Sequence, residues 1–299
     1  YERAASLNDR ALSWIDDRPQ GTDWFVWLHY MDVHHPYEAP AAYQRQYLDD
    51  PVSIRRARRL ARLATHHPEE MTDEQWTLLE KLYDAECAYV DDQFETLMAE
   101  LQNRAALEET VVAFTADHGE LLGEHGRGGH PPEFWEDVIR VPLLIRPPAN
   151  ESLPAPKSVS GQVRLLDIAP TITDGVGVET PEEWTGASAL DIARGDVESR
   201  EHAFGAVGRE IDYRRTFVRR ADGWKLMRID RGELLFDTID TPDEATAANR
   251  FGDGLAVETE LTATLDDHRD QMAADRTTDR AVEEDHEKVK QHLEDLGYK

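Results

Sequence analysis

The stretch TVVAFTADHGELLGEHGRGGHPPEFWEDVIRVPLLI, residues 110–145, decides how this chain is read. It opens on Thr110 to Ala116 and closes on Val138 to Ile145, two short apolar runs rich in β-branched and aliphatic residues. Runs of this kind, with little polar alternation, mark strands buried on both faces of a sheet. Between them stand a carboxylate and an imidazole, Asp117-His118, followed by Gly119 and a glycine-rich loop that carries His125 and His130. A carboxylate beside an imidazole at a strand end can reach one divalent cation, and Gly119 frees the backbone to turn sharply. Asp-His-Gly by itself suits a merely polar turn equally well, so its weight depends on the rest of the chain.

Working outward, Trp24 to His29 (WFVWLH) is another nearly continuous apolar run, and it leads into His34-His35-Pro36-Tyr37. Residues 4 to 17 read as an amphipathic helix with Leu7, Ala11, Trp14 and Ile15 on one face. The Arg-rich residues 51–71 suit a surface helix or loop. Thr72 and Gln75 have the spacing of a capping box. Behind them Trp76, Leu79, Tyr83, Val90, Phe94, Leu97 and Leu101 recur at helical intervals, with Cys87 as a small thiol inside the helix. Strands alternating with helices predict an α/β fold: a central, largely parallel sheet flanked by helices. Beyond about residue 195 the texture changes. Segments 202–207, 214–220, 224–229 and 232–236 are short and separated by turn residues such as Asp222-Gly223 and Arg231-Gly232, which predicts a small antiparallel meander closed by charged helix from 255 to 296. The expected domains are therefore 1–195 and 196–299.

Composition narrows the partners. The chain holds 61 acidic against 33 basic residues, a net charge of −28. Only six of the basic residues are Lys, at 81, 157, 225, 288, 290 and 299, which leaves 27 Arg. A dense carboxylate surface stays hydrated in concentrated salt, where a Debye length of about 3 Å weakens self-repulsion. This bias runs along the whole chain and suggests a halophilic, archaeal source. It argues against a nucleic-acid backbone or an anionic membrane as partner. No segment approaches the run of about 18 apolar residues that spans a bilayer, and a lone Cys87 excludes an internal disulfide.

Six of the twelve His fall in two windows, 29–35 and 118–130, each placed where a predicted strand ends. Ligands of open α/β sheets bind at such ends. His29 alone reads as a core histidine and the glycine loop alone as a polar turn. Together, however, the segments resemble the sulfatase family of the alkaline-phosphatase superfamily, at several points in the right order. WFVWLHYMDVHHPY (24–37) resembles the strand and loop that place a substrate-binding His two positions before a Pro. Residues 115–145 resemble the metal-ligand stretch, its loop and the Arg-Val-Pro strand. VRLLDIAPTITDGVGVETPEEWTGASAL (163–190) resembles the helix and Gly-x-Ser turn before the C-terminal subdomain, and WKLMRI with GELLFDTIDTPDEA resembles its final strands.

The resemblance implies an alkaline-phosphatase-like fold and hydrolysis of a sulfate ester on a small molecule or glycan. It implies that Asp117 and His118 coordinate a divalent cation, usually Ca2+, with Mn2+, Mg2+ and Zn2+ as alternatives. It gives His34 and His130 catalytic and substrate-binding roles: His34 contacts the sulfate and protonates the leaving oxygen, and His130 stands where many members have Lys. His29, Asp32 and His125 belong either to the site or to its support. His118, where Asn or Asp is common, is similar to phosphonate and phosphodiester hydrolases of the superfamily. Family members also carry a Cys- or Ser-x-Pro-x-Arg motif whose first residue becomes formylglycine. These 299 residues do not contain it, since Cys87 is followed by Ala88-Tyr89-Val90-Asp91. The expectation is a longer enzyme with its nucleophile upstream, and a fragment that is inactive alone. A degenerate, non-catalytic cation-binding protein is the contrasting reading, and a cytoplasmic location is the default.

Overall fold

The computed structural model describes residues 2–19, 21–149, 158–209 and 212–278. The chain divides into two compact units between Arg200 and Glu201.

The first unit is built on helices. α1 (Ala4–Asp16) buries Ala4, Asn8, Ala11 and Leu12. The predicted face is thus displaced, and Trp14 is exposed with the Arg18 guanidinium over its ring. The reason lies at the start of the helix. Asp32, fully buried, accepts a hydrogen bond from the Ala4 N–H at 3.0 Å and pairs with Arg3 at 2.9 Å. This satisfies an N-terminal donor that the helix leaves open and sets the rotation of α1. Arg3 also reaches the buried Glu86 at 3.2 Å.

α2 (Ala41–Tyr47) and α3 (Ile54–His66) follow. α3 carries its arginines outward and turns Ala57, Leu60, Ala61 and Ala64 inward. α4 (Asp73–Asn103) starts at the expected capping box, Thr72 with Gln75, and buries Leu79, Leu82, Ala85, Tyr89, Val90, Leu97 and Leu101. Its first half packs with Tyr37, Val52 and α3, and its far end with Leu12 and Leu107.

The sheet of this unit differs from the expectation. β1 (Val112–Thr115) pairs with β4 (Leu143–Arg146), and the pairing is antiparallel. Among the described residues no parallel pair occurs. The run from Val138 is shorter as a strand because α5 (Glu136–Ile139) takes its first residues and Pro142 has no N–H for a ladder. Residues 24–29 form no strand either. Trp24 and Leu28 pack against the Leu12–Leu97–Leu101–Leu107 cluster, while Phe25 and Trp27 are 67% and 78% exposed. The segment has a strand's alternation but no ladder partner among the described residues. A tiny hairpin, β2 (Leu121–Leu122) with β3 (Gly128–Gly129), lies between β1 and α5. α6 (Ile168–Gly175) and α7 (Leu190–Arg194) complete the unit, and Arg194 of α7 pairs with Asp174 of α6 at 2.8 Å.

The second unit is the predicted meander. β5 (His202–Arg209), β6 (Asp212–Arg220), β7 (Trp224–Ile229) and β8 (Gly232–Asp237) pair in sequence order, all antiparallel. α8 (Ala256–Thr278) covers one face, where Val218, Leu226 and Leu235 meet Leu261 and Leu265. Arg220 and Arg228 of the sheet reach Glu260 and Asp266 of the helix. The fully buried Lys225 is neutralised by Glu244 at 2.6 Å. The end of the predicted helix, 279–296, lies outside the described residues.

Candidate active site

The site residues come from three short segments of the first unit. Asp117 and His118 follow the C-terminal end of β1. His34 and His35 occupy a turn that ends at Pro36. His130 follows β3.

Hairpin register explains how the third segment joins the others. Leu121 stands opposite Gly129 and Leu122 opposite Gly128. One step further along the same register, Glu120 falls opposite His130, and His130 Nδ1 donates to Glu120 Oε1 at 3.3 Å. Gly119 is required by close approach. Its N–H donates to Val138 O at 2.7 Å, and a Cβ there would stand 2.0 Å from Asp137 O. Gly128 plays the same part against α3, where a Cβ would meet the Ala64 methyl at 2.8 Å.

The structure gathers four imidazoles. His34 and His35 stack with centroids 4.3 Å apart, His118 and His130 stack at 4.2 Å, and the two pairs meet where His130 stands 5.0 Å from His34 and 5.6 Å from His35. Behind them lies Glu120, its side chain only 5% exposed, with Oε2 at 3.9 Å from His35 Nδ1. Burial pushes the Glu120 carboxyl up, but its interactions with His130 and His35 overcome it and hold the group down at about 2. The hydrogen bond to Glu120 raises His130 against the opposing effect of burial, so His130 keeps its proton more readily than a free imidazole. Burial lowers His34. Tyr37, buried beside Glu120, is pushed up first by burial and then by that carboxylate.

Tautomers follow from the hydrogen bonds. His34 Nδ1 donates to His35 O at 2.7 Å and His118 Nδ1 to Gly119 O at 2.9 Å, which leaves each Nε2 for a ligand or a proton. A divalent cation can be fitted to Asp117 and His118. Asp117 Oδ2 and His118 Nε2 are 3.7 Å apart, a separation one ion can bridge, and the backbone bond already orients the ring. One oxygen and one nitrogen donor suit zinc or manganese at least as well as calcium, whose sites are built from oxygens.

The remaining sequence candidates go elsewhere. His29 contacts Met31 Sδ, Asp32 serves α1, and His125 stacks on Trp135 at 3.9 Å with Nε2 3.8 Å from Asp137. Glu120 and His35 belong to the cluster although sequence reasoning does not single them out. Glu120 carries a signal, a lone carboxylate just beyond Asp-His-Gly, but its partner depends on a hairpin of two-residue strands. His35 looks redundant beside His34.

Comparison with known proteins places the chain in a family. The sulfatase family model matches residues 3–178. Arylsulfatase K of Bos taurus is 27% identical over 276 residues, covering 80% of this chain and 50% of that protein. Choline-sulfatase of Rhizobium meliloti is 30% identical over 202 residues, covering 66% of this chain and 38% of its own length. Among solved structures, phosphonate monoester hydrolase of Agrobacterium radiobacter aligns with a TM-score of 0.71 at 22% identity, over 90% of this chain and 60% of that one, a likeness of fold. The chain spans about half the length of the curated relatives it matches. With the family model covering more than half of its residues, the chain belongs to the sulfatase family.

Proposed function

We propose that this chain forms the middle and C-terminal part of a sulfuric ester hydrolase acting on a small-molecule or glycan sulfate. The observation that carries the reading is the convergence of His34, His118 and His130 beside Asp117 at the end of β1. Asp117 and His118 would hold the divalent cation, which supplies positive charge against the anionic ester and its transition state. The nucleophile of this reading is a formylglycine on a segment that the 299 residues do not contain.

The chain's own residues account for the rest. His130, with Nδ1 committed to Glu120, offers Nε2 to the sulfate oxygens, and Glu120 favours its protonated form. His34 acts at Nε2, because its Nδ1–H is committed to His35 O. Its lowered pKa makes the protonated ring a stronger acid toward the departing oxygen, which is the direction a general acid needs. Glu120 holds the His130 ring from behind and faces His35, on which the His34 ring stacks.

His118 and the fold of the phosphonate monoester hydrolase favour a second reading, a phosphonate or phosphodiester hydrolase on the same site. The product of the whole gene, assayed with an aryl sulfate and an aryl phosphonate, separates the two. We expect sulfate hydrolysis that needs the cation and falls about 10²- to 10⁴-fold in His34→Ala. Turnover of the phosphonate alone would move the assignment to the second reading. No turnover of either ester by a folded, metal-loaded product would leave a cation-binding protein.

A further inference from the structure

Three of the clustered rings have an arrangement that ester binding does not require. One ring nitrogen from each of His34, His35 and His130 lies within 4.8 Å of the other two. A tetrahedral zinc ion with Zn–N bonds near 2.0–2.1 Å needs such nitrogens about 3.3 Å apart, a contraction that small ring rotations supply. The surroundings are those of a metal site. His34 and His130 each commit Nδ1 to an oxygen, so each offers Nε2. The acceptor behind His130 is a carboxylate, the partner that fixes the tautomer and raises the basicity of metal-bound imidazoles. The same Glu120 faces His35, whose Nδ1 is buried and stands 3.9 Å away, beyond a hydrogen bond. Glu120, 5% exposed, balances the charge that an ion would bring.

We infer that His34, His35 and His130 form a binding site for Zn2+, separate from Asp117, with Glu120 supporting it from behind and the fourth coordination position left open. Imidazole donors select zinc and its neighbours in the first transition row over calcium or magnesium, so this all-nitrogen site excludes the hard cations that the Asp117 oxygen can also take. Where the hydrolase reading holds, and only on that reading, occupancy by Zn2+ draws His34 and His130 away from the ester, and the ion acts as an inhibitor.

The test uses the full 299-residue chain, freed of metal by chelation, and Zn2+ alone as the probe. Calorimetry on the double variant Asp117→Asn, His67→Ala, which also removes the exposed His67–Glu69–Glu70 group, isolates this site and should show one Zn2+ bound per chain. In that background Glu120→Gln should weaken binding by about 10- to 100-fold. His35→Ala and His130→Ala should weaken it by at least as much, with circular dichroism confirming that each variant is folded. Co2+ in place of Zn2+ should give the intense visible absorption of a four-coordinate ion, lost in His35→Ala. Zinc affinity unchanged in His35→Ala and in Glu120→Gln overturns the proposal, as does its complete loss in Asp117→Asn alone. If His130→Ala fails to fold, His35→Ala and the Co2+ spectrum still decide. Because ester turnover is not measured, failure here leaves the hydrolase assignment standing, and failure of that assignment leaves the zinc site to be judged by these titrations.

Discussion

Glu120 ties the imidazole cluster to the stability of the fold. Its carboxyl falls from an ordinary value near 4.5 to about 2 in the folded chain. A carboxylate depressed in this way stabilises the fold at pH above 4.5, and that contribution disappears as pH falls through about 2. The full difference corresponds to about 3 kcal/mol. His130 runs the other way: being raised, it contributes below its ordinary value of 6.5 and loses that contribution as pH rises through its folded value. The pair therefore helps most between about pH 4.5 and 6.5. In Glu120→Gln we expect a melting temperature lower at about pH 6 and nearly unchanged at about pH 2, which calorimetry across that range would show. Gly119 gives a second prediction at this scale. A methyl there collides with Asp137 O, so Gly119→Ala should lose about 1–3 kcal/mol in chemical denaturation by overpacking. Asp117, His118, His34 and His130 are legible in the sequence because titratable side chains crowd at chain reversals, and in the fold the four come together. Glu120 and His35 stay hidden because their importance depends on which residue faces which across a turn, and two-residue strands have no periodicity to read.

Elements are legible in proportion to their length. α4 announces itself by a capping box and a long run of apolar residues at helical spacing, and the meander by turn residues at regular intervals. The Thr72 hydroxyl accepts from the Gln75 N–H while the Gln75 side chain accepts from the Thr72 N–H. Thr72→Ala should therefore cost about 1 kcal/mol, read from the urea midpoint with an unchanged slope. Short apolar runs mislead more easily. Residues 24–29 look like a buried strand because a sequence carries hydrophobicity and not the presence of a neighbour to pair with. The apolar stripe of α1 is read partly right: Ala11 and Ile15 turn inward, but Asp32, holding the Ala4 N–H and Arg3, rotates the helix so that Trp14 turns out. Two apolar runs are equally compatible with parallel and antiparallel pairing, so the direction in which β1 meets β4 is decided by the chain between them and not by the runs themselves.

For the molecule as a whole, the dominant fact is a charge of −28. Many arginines are already committed to partners, such as Arg220 with Asp222 and Glu260 and Arg228 with Glu233 and Asp266. The uncompensated carboxylates repel one another across the surface, and added salt shortens the range of that repulsion from about 10 Å at 0.1 M to about 3 Å at 1 M. The melting temperature should rise steadily from about 0.1 to 2 M KCl, and a flat or falling curve would show that self-repulsion does not limit this fold. Among the described residues no helix is long and apolar enough to cross a membrane. The tryptophans of the first unit offer a further handle. Trp27 stands 78% exposed, whereas Trp135 is 1% exposed and lies flat against His125. Acrylamide should reach Trp27 first and Trp135 last, so that with the other six tryptophans replaced by Phe, Trp135 serves as a built-in optical reporter of the loop that carries His130.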